Sequence, residues 1–124
     1  MKHSISWQEK YCLVEFTGDI NKRDIELANK YVHGDKRIYK LPASIWDLSK
    51  CNSISLEPKD LYYSMAVDIG SSRSINEHKL AFIIDNSNAI EAFSMYINDC
   101  IKYGSPWEFK IFNTMHGVEE WLNT

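Results

Sequence analysis

The side chains able to do chemistry are scattered along the chain. Ser49, Ser53, Ser55 and Ser87 fall near the ends of strand-like segments, with Asp47 and Asp85 beside them. Acyl transfer needs a nucleophile, a base and an oxyanion site brought together. No histidine falls at a strand end facing that region, and no Gly-x-Ser-x-Gly elbow occurs. Asp47 and Asp85 end neighbouring strands, where carboxylates commonly accept from loop or helix-terminal N–H groups. His3, His33, His78 and His116 each lie in a polar or boundary segment and are expected to face solvent. Cys12, Cys51 and Cys100 are odd in number and far apart, and no Cys-x-x-Cys or His-x-x-x-His spacing occurs, so neither a disulfide framework nor a metal site is indicated. Cys12 sits in an alternating segment and Cys100 on a helical stripe, as small apolar fillers do; Cys51 lies in a polar stretch and is expected near the surface. The five glycines are isolated and form neither G-x-G-x-x-G nor G-x-x-x-x-G-K. No catalytic residue, cofactor or metal is therefore assigned, and the expectation is a protein that is not an enzyme.

The elements that must position these groups belong to one domain over residues 1–124, the ordinary size for one. Hydrophobic residues make up 44% and charged residues 25%, which is globular composition. The net charge of −3 supplies no basic field, so nucleic acid is not an expected partner. The longest apolar run, Leu80 to Ile84, is far short of the roughly 20 residues that cross a bilayer, and the first residues show no apolar signal region. The expectation is a cytoplasmic chain without a transmembrane segment.

Residues 3–8 and 11–17 alternate polar and apolar around Glu9-Lys10 and predict an antiparallel hairpin. Asn21, with Asp24 three residues on, predicts a helix start, and Ile25, Ala28 and Val32 line one face until Gly34. Residues 35–42 read as a basic-aromatic loop, and Ala43 to Leu48 as a third strand. Ser49 to Ser53 reads as a polar connection. A helix then starts near Ser55 or Glu57, since Pro58 suits a first turn, with Ser55 as cap and Leu61, Met65 and Ile69 as its apolar stripe up to Gly70. Leu80 to Ile84 is apolar on both faces, as a strand buried on both sides should be. Asn88 and Glu91 predict the start of the longest helix, with Ile90, Phe93, Ile97, Cys100 and Ile101 inward. Residues 107–112 alternate as an edge or half-covered strand. Thr114 caps a last helix with Met115, Val118 and Leu122 aligned.

The order β-β-α-β-α-β-α-β-α implies an α/β fold with right-handed parallel crossovers: an N-terminal antiparallel hairpin, then a mostly parallel sheet of about five strands with four helices. Ligands of such sheets gather at the carboxyl ends of the strands. Here those ends supply a candidate binding rim of Asp47, Ser49, Asp85, Asn86 and Ser87, polar and acidic, suited to a small polar ligand and ill-suited to phosphate. Crossovers stepping one way crowd the helices onto one face of the sheet. The other apolar face must then be covered by a returning helix, by a second copy, or by an apolar ligand held among residues such as Trp46, Phe82, Met65 or Phe93.

The ordered set of segments resembles the STAS domain superfamily, and most closely its short SpoIIAA-like branch. The resemblance rests on the hairpin followed by Gly18-Asp19, on Ile45-Trp46-Asp47-Leu48, on Ser53-Ile-Ser-Leu-Glu-Pro-Lys-Asp-Leu61, and on Lys79-Leu-Ala-Phe-Ile-Ile-Asp85. It continues through Ala92-Phe93-Ser-Met-Tyr96, Ser105-Pro-Trp107, Lys110-Ile-Phe112 and Glu119-Glu-Trp-Leu122. It implies a SpoIIAA-like β/α superhelix without catalytic residues. The leading expectation is a regulatory binding module, acting as a homodimer or with a regulatory protein. In the family's anti-sigma-factor antagonists a serine at the start of the second helix is phosphorylated within an Asp-Ser-Ser-Gly-like motif. The matching positions are Ser53 and Ser55, while the aspartate and glycine have no equivalent. The same resemblance, together with the exposed-looking pair Tyr62-Tyr63, marks the second helix, Glu57 to Ile69 with Lys59, and its preceding loop as the candidate interaction surface. Two other readings are a carrier of a small hydrophobic or lipid-like ligand, by likeness to the CRAL-TRIO fold, and a serine phosphoswitch.

Overall fold

The computed structural model describes residues 2–124. Strands β1 (His3–Trp7) and β2 (Cys12–Phe16) form the hairpin, closed by Gln8 N–H donating to Tyr11 O at 2.8 Å across Glu9-Lys10. Gly18, at φ +79°, turns the chain into a short strand β3 (Gly18–Asn21). Asn21 then caps α1 (Lys22–His33): its Oδ1 accepts from Arg23 N–H, and Asp24 Oδ2 accepts from Asn21 N–H, both at 2.9 Å. Residues 36–40, expected as loop, wind into a 3₁₀ turn capped by Asp35.

The remaining elements are β4 (Ala43–Asp47), β5 (Cys51–Ser55), α2 (Tyr62–Ser71), β6 (Lys79–Ile83), α3 (Ser87–Lys102), β7 (Glu108–Phe112) and α4 (Met115–Leu122). The main sheet has the order β1-β2-β4-β6-β7 and is parallel except for the hairpin. The two doubly apolar runs lie side by side, Ala43 opposite Lys79 through Asp47 opposite Ile83. Strands β3 and β5 pair with each other as a separate parallel ribbon.

The strand order steps one way from β2 to β7, so α1, α2 and α3 fall on one face. There Val14, Phe16, Trp46, Leu48, Leu80, Phe82 and Ile84 form the main core with Ile25, Val32, Leu61 and Phe93. The last helix, free of any further crossover, returns over the other face, where Val118 packs on Ile45, Ala81 and Ile83. The chain's own α4 thus covers the second apolar face. Between Trp46, Phe82 and Phe93 the interior has only about 10 Å³, which leaves no room there for the apolar ligand that was one of the three alternatives.

Several local expectations change. Residues 51–55 are a strand, because β5 pairs through its backbone while presenting mostly polar side chains. Ser55 ends that strand and caps nothing. Pro58 opens a 3₁₀ turn over Pro58–Leu61, and α2 begins only at Tyr62. The cap of α3 is Asn86, whose Oδ1 accepts from Ala89 N–H at 3.0 Å, and not Asn88. Ile101 is exposed, since the helix has rotated it off the core by its last turn. The α2 stripe of Met65 and Ile69 is only half-buried, while Ser64 and Asp68 turn inward. His33 and His78 are not solvent-facing: His78 is 5% exposed, and His33 is held between α1 and α2.

Candidate functional site

The segment from β5 into α2, together with the first turns of α3, encloses a groove of about 540 Å³. Ile54, Leu56 and Ala92 give it an apolar floor, and Glu57, Asp60 and Glu91 an acidic rim. The rim is ordered locally: Asp60 Oδ2 accepts from Glu57 N–H at 2.9 Å, which fixes the turn that Pro58 begins. Ser55 lines the groove, and Asn88 reaches it from α3. Ser53 is exposed and donates to Asp19 Oδ1 at 2.8 Å, tying β5 to β3. Lys59 is exposed and lies 3.4 Å from Glu57, a pair too solvated to hold anything firmly. Tyr62 and Tyr63 open α2 with about half of each side chain in solvent.

The five rim residues do not converge on one pocket. Asp47 is buried, and its Oδ1 accepts both the N–H and the O–H of Ser49, at 2.9 and 2.6 Å, which closes a turn. Nearby, Lys50 pairs with Glu15 at 2.7 Å, and that pairing holds the Lys50 ammonium above its ordinary range. Strand alternation carries Asp47 to the α4 side after Ile45, whereas Asp85, Asn86 and Ser87 lie beyond the end of β6 and lead into α3 on the opposite side. Asp85, Asn86 and Ser87 are exposed.

Sequence reasoning missed two buried polar strings. In the first, Ser71 Oγ lies 2.9 Å from His33 Nδ1, and His33 Nε2 lies 3.0 Å from Asp68 Oδ1. Tyr96 O–H donates to Asp68 Oδ2. Asn29 Nδ2 donates to Ser64 Oγ at 2.6 Å. Burial, reinforced by the Asp68 charge, pushes the Tyr96 phenol well above its ordinary range, so it remains a donor. Burial likewise pushes the Cys100 thiol up to about 12. A Ser-His-Asp string therefore exists, built on helices around Ser71 and using none of the strand-end serines. Both oxygens of its carboxyl are engaged, and each partner comes from a different helix. It pins α2 to α1 and α3. The only signal for it in the sequence is polar residues at helical spacing, Asn29 with His33, Ser64 with Asp68, and Tyr96 with Cys100.

In the second string Cys12 Sγ donates to Ser44 Oγ at 3.3 Å, Ser44 lies 2.8 Å from His78 Nε2, and His78 Nδ1 lies 3.0 Å from Leu41 O. A carbonyl can only accept, so Nδ1 carries the proton and Nε2 accepts from Ser44. Burial pushes the His78 imidazole down to about 4, against the smaller raising effect of Leu41 O, and pushes the Cys12 thiol up. Cys12 and Cys100 are buried fillers, while Cys51 is half-buried with its thiol pushed up to about 11 by that burial. Among the described residues no His, Cys, Asp and Glu side chains cluster as a metal site, and no helix is long and apolar enough to cross a membrane. A separate cleft of about 590 Å³ lies at the amino ends of the strands, between Tyr11, Lys79, Glu108 and Leu122, with charges of both signs.

Neither a family model nor a curated protein matches the sequence. Solved structures match its shape over nearly the whole chain. One is an anti-sigma factor antagonist from Mycobacterium paratuberculosis, with TM-score 0.62 at 10% identity, covering 98% of this chain and 93% of that one. A second is the anti-sigma factor antagonist SpoIIAA in its unphosphorylated form, with TM-score 0.60 at 6% identity, covering 98% and 97%. A third is an uncharacterized DUF3478-family protein with a SpoIIAA-like fold from Shewanella loihica PV-4, with TM-score 0.55 at 14% identity, covering 97% and 91%. The chain has the SpoIIAA-like fold that its sequence resembles.

Proposed function

We propose that the protein is a non-catalytic regulatory module that binds a protein partner through the surface made by β5, α2 and the start of α3. The observation that carries this reading is the half-exposed pair Tyr62-Tyr63, which follows directly on the turn that lines an apolar-floored groove with an acidic rim. Tyrosines supply rigid apolar area with a polar tip and recur among residues that dominate interfaces. Glu57, Asp60 and Glu91 favour a partner that brings a basic side chain. The shape likeness to two anti-sigma factor antagonists supports a regulatory role. A phosphoswitch is less well supported: a phosphate on Ser55 would enter a rim of three carboxyls and be repelled. The carrier reading lacks an interior cavity of the needed size.

The test is affinity capture with the full chain, identification of the bound protein by mass spectrometry, and titration of that protein against variants. Tyr63→Ala and Glu91→Lys should each weaken binding about tenfold, the usual size of a loss at an interface anchor. Equal affinity in both variants would remove the interface from this surface.

A further inference from the structure

We propose that β1 is a pairing edge for a second copy of this chain, joining two sheets antiparallel about a two-fold axis at Ile5. The hairpin hydrogen bonds define which backbone groups are free. Gln8 N–H donates to Tyr11 O and Thr17 N–H to Lys2 O, and the register keeps Ser4 opposite Glu15 and Ser6 opposite Leu13. In an antiparallel pair, alternate residues turn their N–H and C=O toward the partner strand. Lys2, Ser4, Ser6 and Gln8 therefore face β2, and His3, Ile5 and Trp7 turn theirs outward. Among the described residues nothing bonds those outward groups.

This outward set is self-complementary. A two-fold axis at Ile5 places Ile5 opposite Ile5 of the second copy, and His3 opposite its Trp7 at either end. All three are then hydrogen-bonded pairs, so every outward N–H and C=O finds a partner, six bonds in all from the alternation rule. The same register sets Lys2 abreast of the other copy's neutral Gln8, while the Lys2 ammonium stays with Asp19 O at 2.6 Å and Asp24 at 3.8 Å in its own chain. The side chains agree. A groove of about 250 Å³ runs along this edge between Ile5, Trp7, Tyr31 and Asp35, and would take the incoming His3 and Trp7 on the face they already share. Tyr31 is half exposed, and Arg37 stacks 4.6 Å from the Trp7 ring.

The two sheet edges differ in protection. The far edge, β7, points Glu108 and Lys110 into solvent, the kind of charge that blocks edge-to-edge addition. Within β1 the sequence His3-Ser4-Ile5-Ser6-Trp7 has no Lys, Arg, Asp, Glu, Pro or Gly, and its register is free of bulges. A ribbon this short buries less than a standard interface, so the pair is weak and forms with rising concentration.

Sedimentation of the full chain from about 10 µM to about 1 mM tests the pairing, with amide exchange as a second readout. The wild-type protein should shift toward dimer, and the amides of His3, Ile5 and Trp7 should gain protection in step. The substitutions S4K and S6K together set like charges opposite across the axis while placing a lysine favourably against Glu15 within the fold. They should weaken the dimer about tenfold, because directly opposed like charges disfavour cross-strand pairing. S4K with S6E restores opposite charges and should recover the dimer. A wild-type protein that stays monomeric throughout overturns the proposal. So does a dimer indifferent to the double lysine variant, or one lost equally in both charge variants. These outcomes leave the α2 reading untouched.

Discussion

His78 offers a sharp test of the buried architecture, because its environment fixes both its tautomer and its charge. The ring is 5% exposed, donates to Leu41 O and accepts from Ser44. A proton added at Nε2 would face the Ser44 oxygen in place of its O–H, and would carry a charge into the layer beneath Trp107, whose ring centroid is 4.8 Å away. Burial holds the folded-state value at about 4, against about 6.5 for the unfolded chain. Because the folded value is the lower one, the unfolded chain binds more protons between those limits. Stability is complete above pH 6.5 and falls as the pH drops toward 4. Linkage gives a loss of about 2 kcal/mol from this group at pH 5 and about 3 kcal/mol at pH 4. Urea unfolding at pH 7, 6 and 5 should show the wild-type protein losing about 2 kcal/mol more than His78→Gln, whose amide can serve both Leu41 and Ser44. Ring-proton NMR should leave the His78 signal unshifted down to pH 5. A midpoint at or above pH 6, or parallel losses in the two proteins, would refute the reasoning.

Asp68→Ala removes the acceptor for both His33 and Tyr96 and leaves a buried phenol unpaired, so denaturant unfolding should show a loss of about 3 kcal/mol. Tyr96→Phe should cost less on its own, and the double variant should fall short of the sum of the two. Asn86→Ala should cost about 1 kcal/mol through loss of the α3 cap, whereas Asn88→Ala should stay within about 0.5 kcal/mol, and thermal melts will separate them.

The main sheet was legible because burial on both faces leaves an unmistakable run of apolar residues. Leu80–Ile84 is apolar throughout, Ala43–Leu48 is interrupted only by Ser44 and Asp47, and the alternation of strands with helices predicts the adjacency that the two show. The caps Asn21 and Thr114 were legible because each precedes an apolar period at the right distance. Strands β3 and β5 were not, since they satisfy only each other's backbone and bury little beyond Ile20 and Ile54. Hydrophobic periodicity reports burial, and a polar two-strand ribbon offers almost none. Pro58 misled for a related reason: a 3₁₀ turn and the first turn of an α-helix welcome proline alike.

The helix that carries the candidate interface shows why its inner face was harder to read. Apolar packing alone would favour Met65 and Ile69 inward over Ser64 and Asp68, and neighbouring ridges of a helix differ by only a modest rotation. The observed rotation is the one in which Asn29 meets Ser64, and Asp68 meets both His33 and Tyr96. These partners lie 28 to 35 residues apart, so no local pattern announces them. Hydrogen bonds are directional where apolar contact is not, and any rotation that keeps Asp68 buried but away from His33 and Tyr96 leaves a carboxyl unsatisfied. The polar string under α2 thus selects one orientation of that helix, and in that orientation Tyr62 and Tyr63 stand in solvent directly after the turn that lines the groove. What the sequence displays as an ordinary amphipathic helix with misplaced polar residues is, in the fold, the device that aims its outer surface.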